Sequence, residues 1–310
     1  MSEQTRKVVL VTRRTRLEDL IARHHTLAQA KFYIEHLGAD FSDYLAEHDA
    51  YARSLELTLG KLEAWGRYQI VDRSYLPNFI FAADDIVVAL GQDGLVANSM
   101  KYLDGQPLIG LNPEPTRWDG VLLPFEPGAL GTVLADVVHG RRPMKSVTMA
   151  EARLSDGQVM RAVNDLFIGP RTHASALYEI EIGGRREFQS SSGIIVSTGL
   201  GSTAWLKSVV SGSLGVAHAV QQRSEGFQYQ AQAWDCPELT FAVREPFPSR
   251  TSKAELVFGH VGAQEPLKLH SRMPENGVIF SDGMEADYLR FTAGMEATVS
   301  VAARRGCLVI

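Results

Sequence analysis

The stretch DIVVALGQDGLVANSM, residues 85–100, decides the fold of the N-terminal half. Residues 85–90 are predicted to form a strand, and the continuous apolar run at 86–90 is typical of a buried strand in a parallel sheet. The run passes directly into the glycine-rich segment 91–94, and residues 95–103 have the spacing of a helix. A strand, a tight turn and a helix in this order predict an α/β domain with a mainly parallel sheet.

The surrounding sequence repeats the same alternation. The patterns at 8–11, 68–71 and 107–111 predict further strands, and those at 16–37, 51–65 and 128–139 predict helices. We therefore expect an α/β domain over residues 1–142 that carries the glycine-rich loop.

The pattern changes after residue 142, where period-2 alternation and turn residues become dominant. Strands are predicted at 146–154, 159–168, 178–182, 193–197, 239–243, 254–258, 278–281 and 297–302, with one helix over 202–210. This pattern predicts a β-rich second domain over residues 143–310, whose final segment can return to the first domain.

Composition excludes several classes of protein. The 310-residue chain has a formal net charge of −5, which provides no general attraction to nucleic acid or to an anionic membrane. No run approaches the roughly 20 apolar residues that span a bilayer, and residues 1–7 are polar. Two cysteines, Cys236 and Cys307, stand far apart without metal-ligand spacing. We expect a cytoplasmic protein with reduced thiols.

The first chemical motif is the segment GQDG at 91–94. Ligands of open parallel sheets bind beyond the carboxyl ends of the strands, where this loop would lie. Glycines let the backbone approach phosphate closely, and the helix N-terminus that follows favours anions. The carboxylate of Asp93 suits a general base beside a transferred phosphoryl group. The alternative is a tight turn in which Asp93 caps the helix.

The second motif is STGLGSTA at 197–204, which follows a predicted strand and precedes a predicted helix. Its glycines and hydroxyls suit close contact with sugar or phosphate. The spacing of Gly199, Gly201 and Ala204 also fits a dinucleotide-binding fingerprint, but residues 217–226 show no following strand with an acidic end, so we reject a dehydrogenase. The alternative is a loop that only joins strand and helix.

The third motif is Asn164-Asp165 within the run 161–168. Both side chains can read a ribose diol or a base edge by paired hydrogen bonds. Adjacent polar residues in an apolar strand need partners if they are buried, and a ligand can supply them. A turn at the end of a strand is the alternative.

The three motifs in this order resemble the NAD kinase family. The family's Gly-Gly-Asp-Gly loop corresponds to residues 91–94, its Asn-Glu pair to 164–165, and its Thr-Gly-Ser-Thr-Ala-Tyr stretch to 200–205. Residues 110–112 look like its Gly-Val-Asn strand end, and residues 281–283 like its late Asp-Gly turn. The likeness runs from about Asp85 to the C-terminus and is strongest to the divergent branch that includes the mitochondrial enzymes.

The resemblance implies a Rossmann-like N-terminal domain and a C-terminal β-sandwich. It implies transfer of the γ-phosphoryl group of ATP, accompanied by Mg²⁺, to the adenosine-ribose 2′-hydroxyl of NAD, with Asp93 as the base. No set of protein ligands for the metal is evident. The implied donor-binding residues are Gly91, Gln92, Gly94, Thr198, Gly199, Gly201 and Ser202, and the implied substrate-binding residues are Asn164, Asp165, Thr203, Ala204, Trp205 and Ser208. Trp205 stands where the family has Tyr; an ordinary core aromatic is its alternative reading.

Departures from the family pattern leave the substrate open. Gln92 replaces the second glycine of the loop, and Leu95 replaces the threonine that follows it. A kinase acting on another nucleoside, sugar or lipid hydroxyl is therefore a second hypothesis, and a non-catalytic NAD-binding sensor a third. The β-rich domain has many potential edges, which proteins often hide by pairing, so we expect a homodimer.

Overall fold

The chain folds into two units, which we describe from a computed structural model covering residues 6–221 and 229–310. The first unit comprises the described residues up to Lys145 together with Cys307–Ile310. The second unit comprises the described residues of 146–306. The last four residues of the chain thus belong to the first unit.

The first unit is an α/β layer structure. Its strands are β1 (Val8–Thr12), β2 (Tyr68–Asp72), β3 (Ile86–Leu90) and β4 (Pro107–Leu111), and its helices are α1 (Arg16–His24), α2 (Leu27–His36), α3 (Ser42–Trp65), α4 (Asp93–Met100) and α5 (Leu130–Val138). The strands lie in the order β2-β1-β3-β4, all parallel, and Cys307 and Leu308 add a further parallel pairing beside β4. The predicted α/β domain with a mainly parallel sheet is confirmed.

Strand β3 lies near the centre of this sheet. All five of its residues are fully buried, because alternate side chains on its two faces are covered. On one face Ile86 and Val88 join a cluster with Tyr51 and Leu62 of α3 and with apolar residues of α5. Helix α4 packs against β3 and β4 and contributes further buried side chains. The sheet therefore fixes the position at which β3 gives way to α4.

The predicted single helix over 16–37 is wrong, because the structure has two helices there. His25 adopts a left-handed conformation with φ 67°, which ends α1. The hydroxyl of Thr26 then accepts a hydrogen bond from the N–H of Gln29 at 3.2 Å and caps α2. A threonine cap inside an apparently continuous helical pattern is a local stop and restart. Helix α3 also begins at Ser42, nine residues before its predicted start.

The second unit consists mainly of antiparallel strands. They are β5 (Met144–Leu154), β6 (Val159–Ala162), β7 (Asp165–Pro170), β8 (Ala176–Ile182), β9 (Arg185–Ser191), β10 (Ile194–Ser197), β11 (Leu239–Val243), β12 (Phe258–Val261), β13 (Leu267–Ser271), β14 (Gly277–Ser281), β15 (Tyr288–Arg290) and β16 (Glu296–Val309), with one helix, α6 (Trp205–Gln221). One sheet has the order β16-β13-β8-β9, with β5 and β6 joined to β16, and the other has the order β12-β11-β10-β7-β14-β15. Strand β5 begins in the first unit and continues into the second, and strand β16 begins in the second unit and ends in the first.

The two sheets of the second unit share one hydrophobic core. Ile168 and Val196 of one sheet lie in the same buried cluster as Leu269 and Val299 of the other. The fold is therefore a β-sandwich, and the predicted α/β domain followed by a β-sandwich is confirmed. The hairpin predicted at Gly183-Gly184 is present, with positive φ at both glycines.

Two strand predictions in this unit are corrected. The pattern at 159–168 is two strands, because the backbone breaks at residues 163–164 between β6 and β7. The strand predicted at 254–258 begins four residues later, at Phe258–Val261.

The predicted helix over 202–210 begins at Trp205 and runs to Gln221. Among the described helices, none is long and apolar enough to cross a bilayer.

Candidate functional site

The glycine-rich segment 91–94 lies at the end of β3, where that strand turns into α4. Gln92 occupies the N-cap position, and its carbonyl accepts the N–H of Leu95 at 2.8 Å. Asp93 is the first residue of the helix itself. The alternative role of Asp93 as the helix cap is therefore wrong, and its carboxylate is directed to other partners.

The carboxylate of Asp93 anchors a distant loop with one oxygen. Its Oδ1 accepts the backbone N–H of Leu122 at 2.7 Å, across 29 residues of sequence. Its Oδ2 accepts no hydrogen bond from the described part of the chain. The side chain is half-buried. One oxygen is thus held in place, and the other is available to a ligand.

The loop that carries Leu122 is pressed against the end of β4. A Cβ added to Gly110 would lie 2.0 Å from the carbonyl oxygen of Leu122, so only glycine allows this approach. Asn112 is buried, donates through Nδ2 to the carbonyl of Trp118 at 3.0 Å, and accepts the N–H of Glu114 at 3.0 Å. The strand end 110–112 therefore shapes the loop whose backbone holds Asp93. Sequence reasoning missed Leu122, since a backbone N–H leaves no signal in the side-chain pattern.

The two glycines beside Asp93 have different surroundings. A Cβ on Gly91 would lie 2.9 Å from Leu95 Cδ2 and 3.4 Å from Arg13 Nε. The side chain of Arg13 is only 8% exposed, and its Nη2 is bonded to Glu47 at 3.0 Å. Gly94 is exposed, and a Cβ there would meet nothing within 4 Å. The open approach to this helix N-terminus is thus at Gly94 rather than at Gly91.

In the second unit, the Asn164-Asp165 pair lies at the break between β6 and β7. The carboxylate of Asp282 accepts the backbone N–H groups of Val163, Asn164 and Asp165, at 3.1, 2.7 and 3.3 Å. The N–H of Asp282 donates to the carbonyl of Asp165 at 3.0 Å. Asp282 thereby fixes the pair in place. It was absent from the predicted site residues, although the turn at 281–283 was part of the family resemblance.

Asp165 is a buried carboxyl group with an unusual environment. Its side chain accepts no hydrogen bond from the described residues, whereas the side chain of Asn164 is half-buried. Burial, followed by the nearby charge of Asp282, raises the pKa of Asp165 to about 7. A buried polar group without a protein partner is where a ligand hydroxyl or ring nitrogen can be bound.

This environment makes stability depend on pH. Below the unfolded-state pKa of about 3.9 the Asp165 carboxyl is protonated in both states. Between about pH 4 and 7 the unfolded state releases this proton while the folded state retains it, so the free energy of unfolding falls as pH rises. We expect Asp165→Asn to match the wild type near pH 4 and to exceed it in stability at pH 8 by up to about 4 kcal/mol, measured by urea unfolding.

Asp156 provides a control of opposite sign. Hydrogen bonds from the backbone and side chain of Gln158 hold the pKa of Asp156 below its ordinary value, so its ionised form stabilises the fold. Asp156→Asn is therefore expected to lower stability at neutral pH. If Asp165→Asn and the wild type had equal free energies of unfolding at pH 8, ionisation of Asp165 would not destabilise the fold, and the expected pH dependence would be wrong.

The predicted donor-binding hydroxyls in segment 197–204 are buried and hydrogen-bonded. Thr198 donates through Oγ1 to the carbonyl of Val163 at 2.5 Å and accepts the N–H of Gly201 at 3.1 Å. Ser202 donates to the carbonyl of Gly199 at 2.7 Å and accepts the N–H of Gln232 at 2.9 Å. Both side chains are fully buried. Their contact with a ligand stays a prediction, and the structure gives them a role in shaping the loop.

Gly199 and Gly201 allow close approach of other backbone segments. A Cβ on Gly201 would lie 2.0 Å from the carbonyl oxygen of Asn164, and one on Gly199 would lie 1.8 Å from that of Ala233. The loop and the Asn164-Asp165 segment are also joined by a hydrogen bond from Thr198 N–H to the Asn164 carbonyl at 2.9 Å. The second and third motifs therefore form one backbone unit.

The remaining predicted substrate residues lie nearer the surface. Thr203, Ala204 and Ser208 are exposed at the start of α6, and Trp205 is half-buried. The Trp205 ring stacks on Phe167, with centroids 5.7 Å apart and planes 11° from parallel. The guanidinium carbon of Arg244 lies 5.3 Å from the centroid of the Trp205 ring. Phe167 and Arg244 were missed: Phe167 follows Asp165 by two residues but is an ordinary apolar strand residue, and Arg244 follows the end of β11, remote in sequence from the motifs.

Comparisons with known proteins relate this chain to NAD kinases. A curated NAD kinase from Chlorobaculum tepidum is 29% identical over 124 residues, covering 39% of this chain and 43% of that protein. The matched region thus spans less than half the length of that relative. NAD kinase 2, mitochondrial, from Rattus norvegicus and from Homo sapiens is 24% and 23% identical, covering 79% of this chain and 74% and 71% of those proteins. No protein-family model matches.

Solved structures show the same fold at low identity. Yeast NADH kinase complexed with NADH has a TM-score of 0.60 and 13% identity, covering 99% of this chain and 84% of that one. An NAD kinase from Archaeoglobus fulgidus in complex with ATP has a TM-score of 0.57 and 14% identity, covering 98% and 93%.

Fold and sequence together relate the chain to the NAD kinases, a class of phosphotransferases, and the predicted resemblance is confirmed. Within that class, two relatives that match over most of the chain are mitochondrial NAD kinase 2 proteins, which agrees with the predicted likeness to the divergent branch.

Proposed function

We propose that the chain is a kinase that transfers the γ-phosphoryl group of ATP to the adenosine-ribose 2′-hydroxyl of NAD, giving NADP. One observation carries this proposal: Asp93 stands at the N-terminus of α4 with Oδ1 bonded to Leu122 and with Oδ2 unbonded among the residues that the structure describes. A held carboxylate with one available oxygen suits a group that orients an acceptor hydroxyl and receives its proton. Its place beyond the carboxyl end of β3 is where open α/β sheets bind ligands.

The donor side of the proposal rests on the N-terminus of α4. The first N–H groups of a helix have no partners within it, and the helix dipole favours phosphate there. Gly94 leaves this approach open, whereas Gln92 adds a side chain beside it. The related A. fulgidus kinase is described in complex with ATP, which supports ATP as donor. Gln92 and Gly94 are therefore proposed to contact the donor through the backbone. Contact with Gly91 stays a prediction, since Gly91 is buried and its N–H donates to the carbonyl of Leu111 at 3.2 Å.

The acceptor side rests on the second unit. Asn164 offers an amide, and Asp165 offers a buried carboxyl that has no hydrogen-bond partner within the described part of the chain. Both can bind ribose hydroxyls or a base edge. Thr203, Ala204, Trp205 and Ser208 are proposed to line the rest of the acceptor site, with the Trp205 ring as a stacking surface. The related yeast enzyme is described as an NADH kinase complexed with NADH, so NADH belongs among the acceptors to be tested.

Mg²⁺ is proposed to accompany the donor phosphates. Within the described residues, no group of three or more His, Cys, Asp or Glu side chains is arranged to hold a metal ion. Mg²⁺ in kinases is bound largely by substrate phosphates and water, with one or two carboxylates, so a dedicated cage is not required. The cytoplasmic location and the homodimer stay predictions.

The direct test is an assay of purified protein with ATP, MgCl₂ and either NAD or NADH, followed by separation of the nucleotides. We expect NADP or NADPH to accumulate in proportion to enzyme and time. A parallel panel should offer nucleosides, sugars and diacylglycerol as acceptors. Phosphorylation of one of those, with none of NAD or NADH, would replace the proposed acceptor. Saturable NAD binding without any transfer would replace the kinase by a sensor.

A further inference from the structure

A small cavity lies on the outer face of the sheet that contains β7. Its volume is about 170 Å³. It is lined by Phe167, Pro170, Arg171, Trp205, Arg244, Val278, Phe280 and Glu285. Of these, only Trp205 belongs to a sequence motif of the proposed site.

Two glycines allow the aromatic side of this cavity to form. Phe167 faces away from the sandwich core, whereas its neighbours Leu166 and Ile168 belong to that core. A Cβ on Gly169 or on Gly193 would lie 2.7 or 2.8 Å from atoms of the Phe167 ring. The Phe167 ring therefore packs directly against the backbone of the two glycines. Its centroid lies 4.8 Å from that of Phe280 and 5.7 Å from that of Trp205. These packed rings form a rigid wall.

The polar side of the cavity carries more positive than negative charge. Arg171 and Arg244 are the cations, and the exposed Glu285 is the acidic residue in the lining. Arg244 is only 29% exposed, and among the described residues its nearest carboxylate is that of the exposed Glu245, at 3.8 Å. Arg171 lies 4.5 Å from the Tyr288 ring, and no carboxylate of the described residues pairs with it. Two guanidinium groups therefore retain unused donors beside an aromatic wall.

The size of the cavity limits what it can hold. Sites for whole small-molecule ligands have volumes of roughly 300–1,000 Å³. A volume of about 170 Å³ accommodates one group of a ligand rather than a complete nucleotide. Planar guanidinium groups match the oxygens of phosphate better than those of any neutral group, because they donate in pairs.

The cavity and Asp165 lie on the same face of the sheet. Residues 165, 167 and 169 of β7 point to the same face, because side chains alternate along a strand. Asp165 and Gly169 are about 13 Å apart at roughly 3.3 Å per residue. A ligand group bound by Arg171 and Arg244 can therefore belong to the same molecule as a group bound at Asp165.

We propose that this cavity is a phosphate subsite for the nucleotide acceptor, with Arg171 and Arg244 binding the phosphate oxygens and the Phe167–Trp205 wall excluding water. The proposal deepens the proposed function, since it assigns a phosphate-bearing nucleotide rather than a bare sugar or lipid to this face.

The test compares AMP with adenosine, which differ only by the phosphate group. Calorimetric titration would use the wild type, Arg171→Gln, Arg244→Gln and the double variant. Arg185→Gln is the control, since Arg185 is an exposed arginine at the hairpin between β8 and β9. We expect the double variant to bind AMP about tenfold to a hundredfold more weakly, with adenosine affinity unchanged. Raising the salt concentration should weaken AMP binding in the wild type more than in the double variant.

An equal loss for AMP and adenosine in the double variant would overturn the phosphate subsite, as would unchanged AMP affinity or no binding of AMP to the wild type. Failure of the kinase proposal would look different. If the wild type forms NADP but the double variant binds AMP as tightly as the wild type does, the subsite proposal is overturned and the kinase proposal stands. If the double variant loses AMP affinity but the wild type transfers no phosphoryl group, the subsite proposal is supported and the kinase proposal is overturned.

Discussion

Asp93→Asn is expected to lower turnover with ATP and NAD by about a hundredfold to ten-thousandfold, which is the contribution of a positioned general base. The substituted side chain keeps an oxygen that accepts the N–H of Leu122, now bonded at 2.7 Å. It places an amide nitrogen at the position of Oδ2, which has no hydrogen-bond partner among residues 6–221 and 229–310 of the wild type. Steady-state rates and NAD binding would be measured on the same preparations. We expect NAD affinity to stay within about threefold of the wild type.

Asp93→Ala separates the two roles of this carboxylate. It removes the base and also leaves the N–H of Leu122 without its acceptor. Loss of one such hydrogen bond destabilises by roughly 1 kcal/mol, and more when the donor is left buried. We therefore expect Asp93→Ala to lose activity like Asp93→Asn and, in addition, to unfold at lower urea concentration. Comparable activity in Asp93→Asn and the wild type would mean that Asp93 only anchors the loop.

The parts of the fold that were predictable are those encoded over short distances. The apolar run 86–90 identifies a buried strand because both faces of a central parallel strand are covered. The boundaries of β4 at 107–111 are those predicted, since Pro107 begins the strand and polar Asn112 follows it. The segment 91–94 was located by its glycines, and its place before α4 follows from the sheet.

The parts that were missed depend on contacts across long sequence separations. Leu122 holds Asp93 through a backbone N–H, and Asp282 holds Asn164 across 118 residues. Neither contact has a local pattern. Thr26 is a residue type that often caps a helix, and it does so here at the start of α2. The helix-like apolar spacing continues on both sides of it, so the sequence was interpreted as one helix. Long-range polar anchors therefore set the geometry of a site whose motifs are local.

Long-range contacts also change the interpretation of the two glycines in the second motif. Gly199 and Gly201 were predicted to bind a ligand, for which glycine permits close approach of backbone. The structure brings protein backbone to both positions, namely the carbonyls of Ala233 and Asn164. Packing alone thus requires glycine there, whether or not a ligand also contacts the loop.

Gly199→Ala is accordingly expected to destabilise the second unit by at least about 3 kcal/mol, at the upper end of overpacking costs. The added methyl group would lie 1.8 Å from the Ala233 carbonyl oxygen, and both the loop and its neighbour would have to shift. Because Ser202 bonds the carbonyl of Gly199 and the N–H of Gln232, the displacement would extend to both of those contacts. Urea unfolding followed by circular dichroism measures the loss.

Gly212→Ala is the matched control, because it makes the same chemical change in the same unit. Gly212 is exposed within α6, and an added Cβ meets nothing within 4 Å. Alanine favours a helix interior over glycine, so this variant should gain about 0.5–1 kcal/mol. We therefore expect opposite signs for the two substitutions: steric overlap lowers stability at Gly199, and helix propensity raises it at Gly212. A stable Gly199→Ala protein that has lost only nucleotide binding would instead show that this glycine is kept for the ligand.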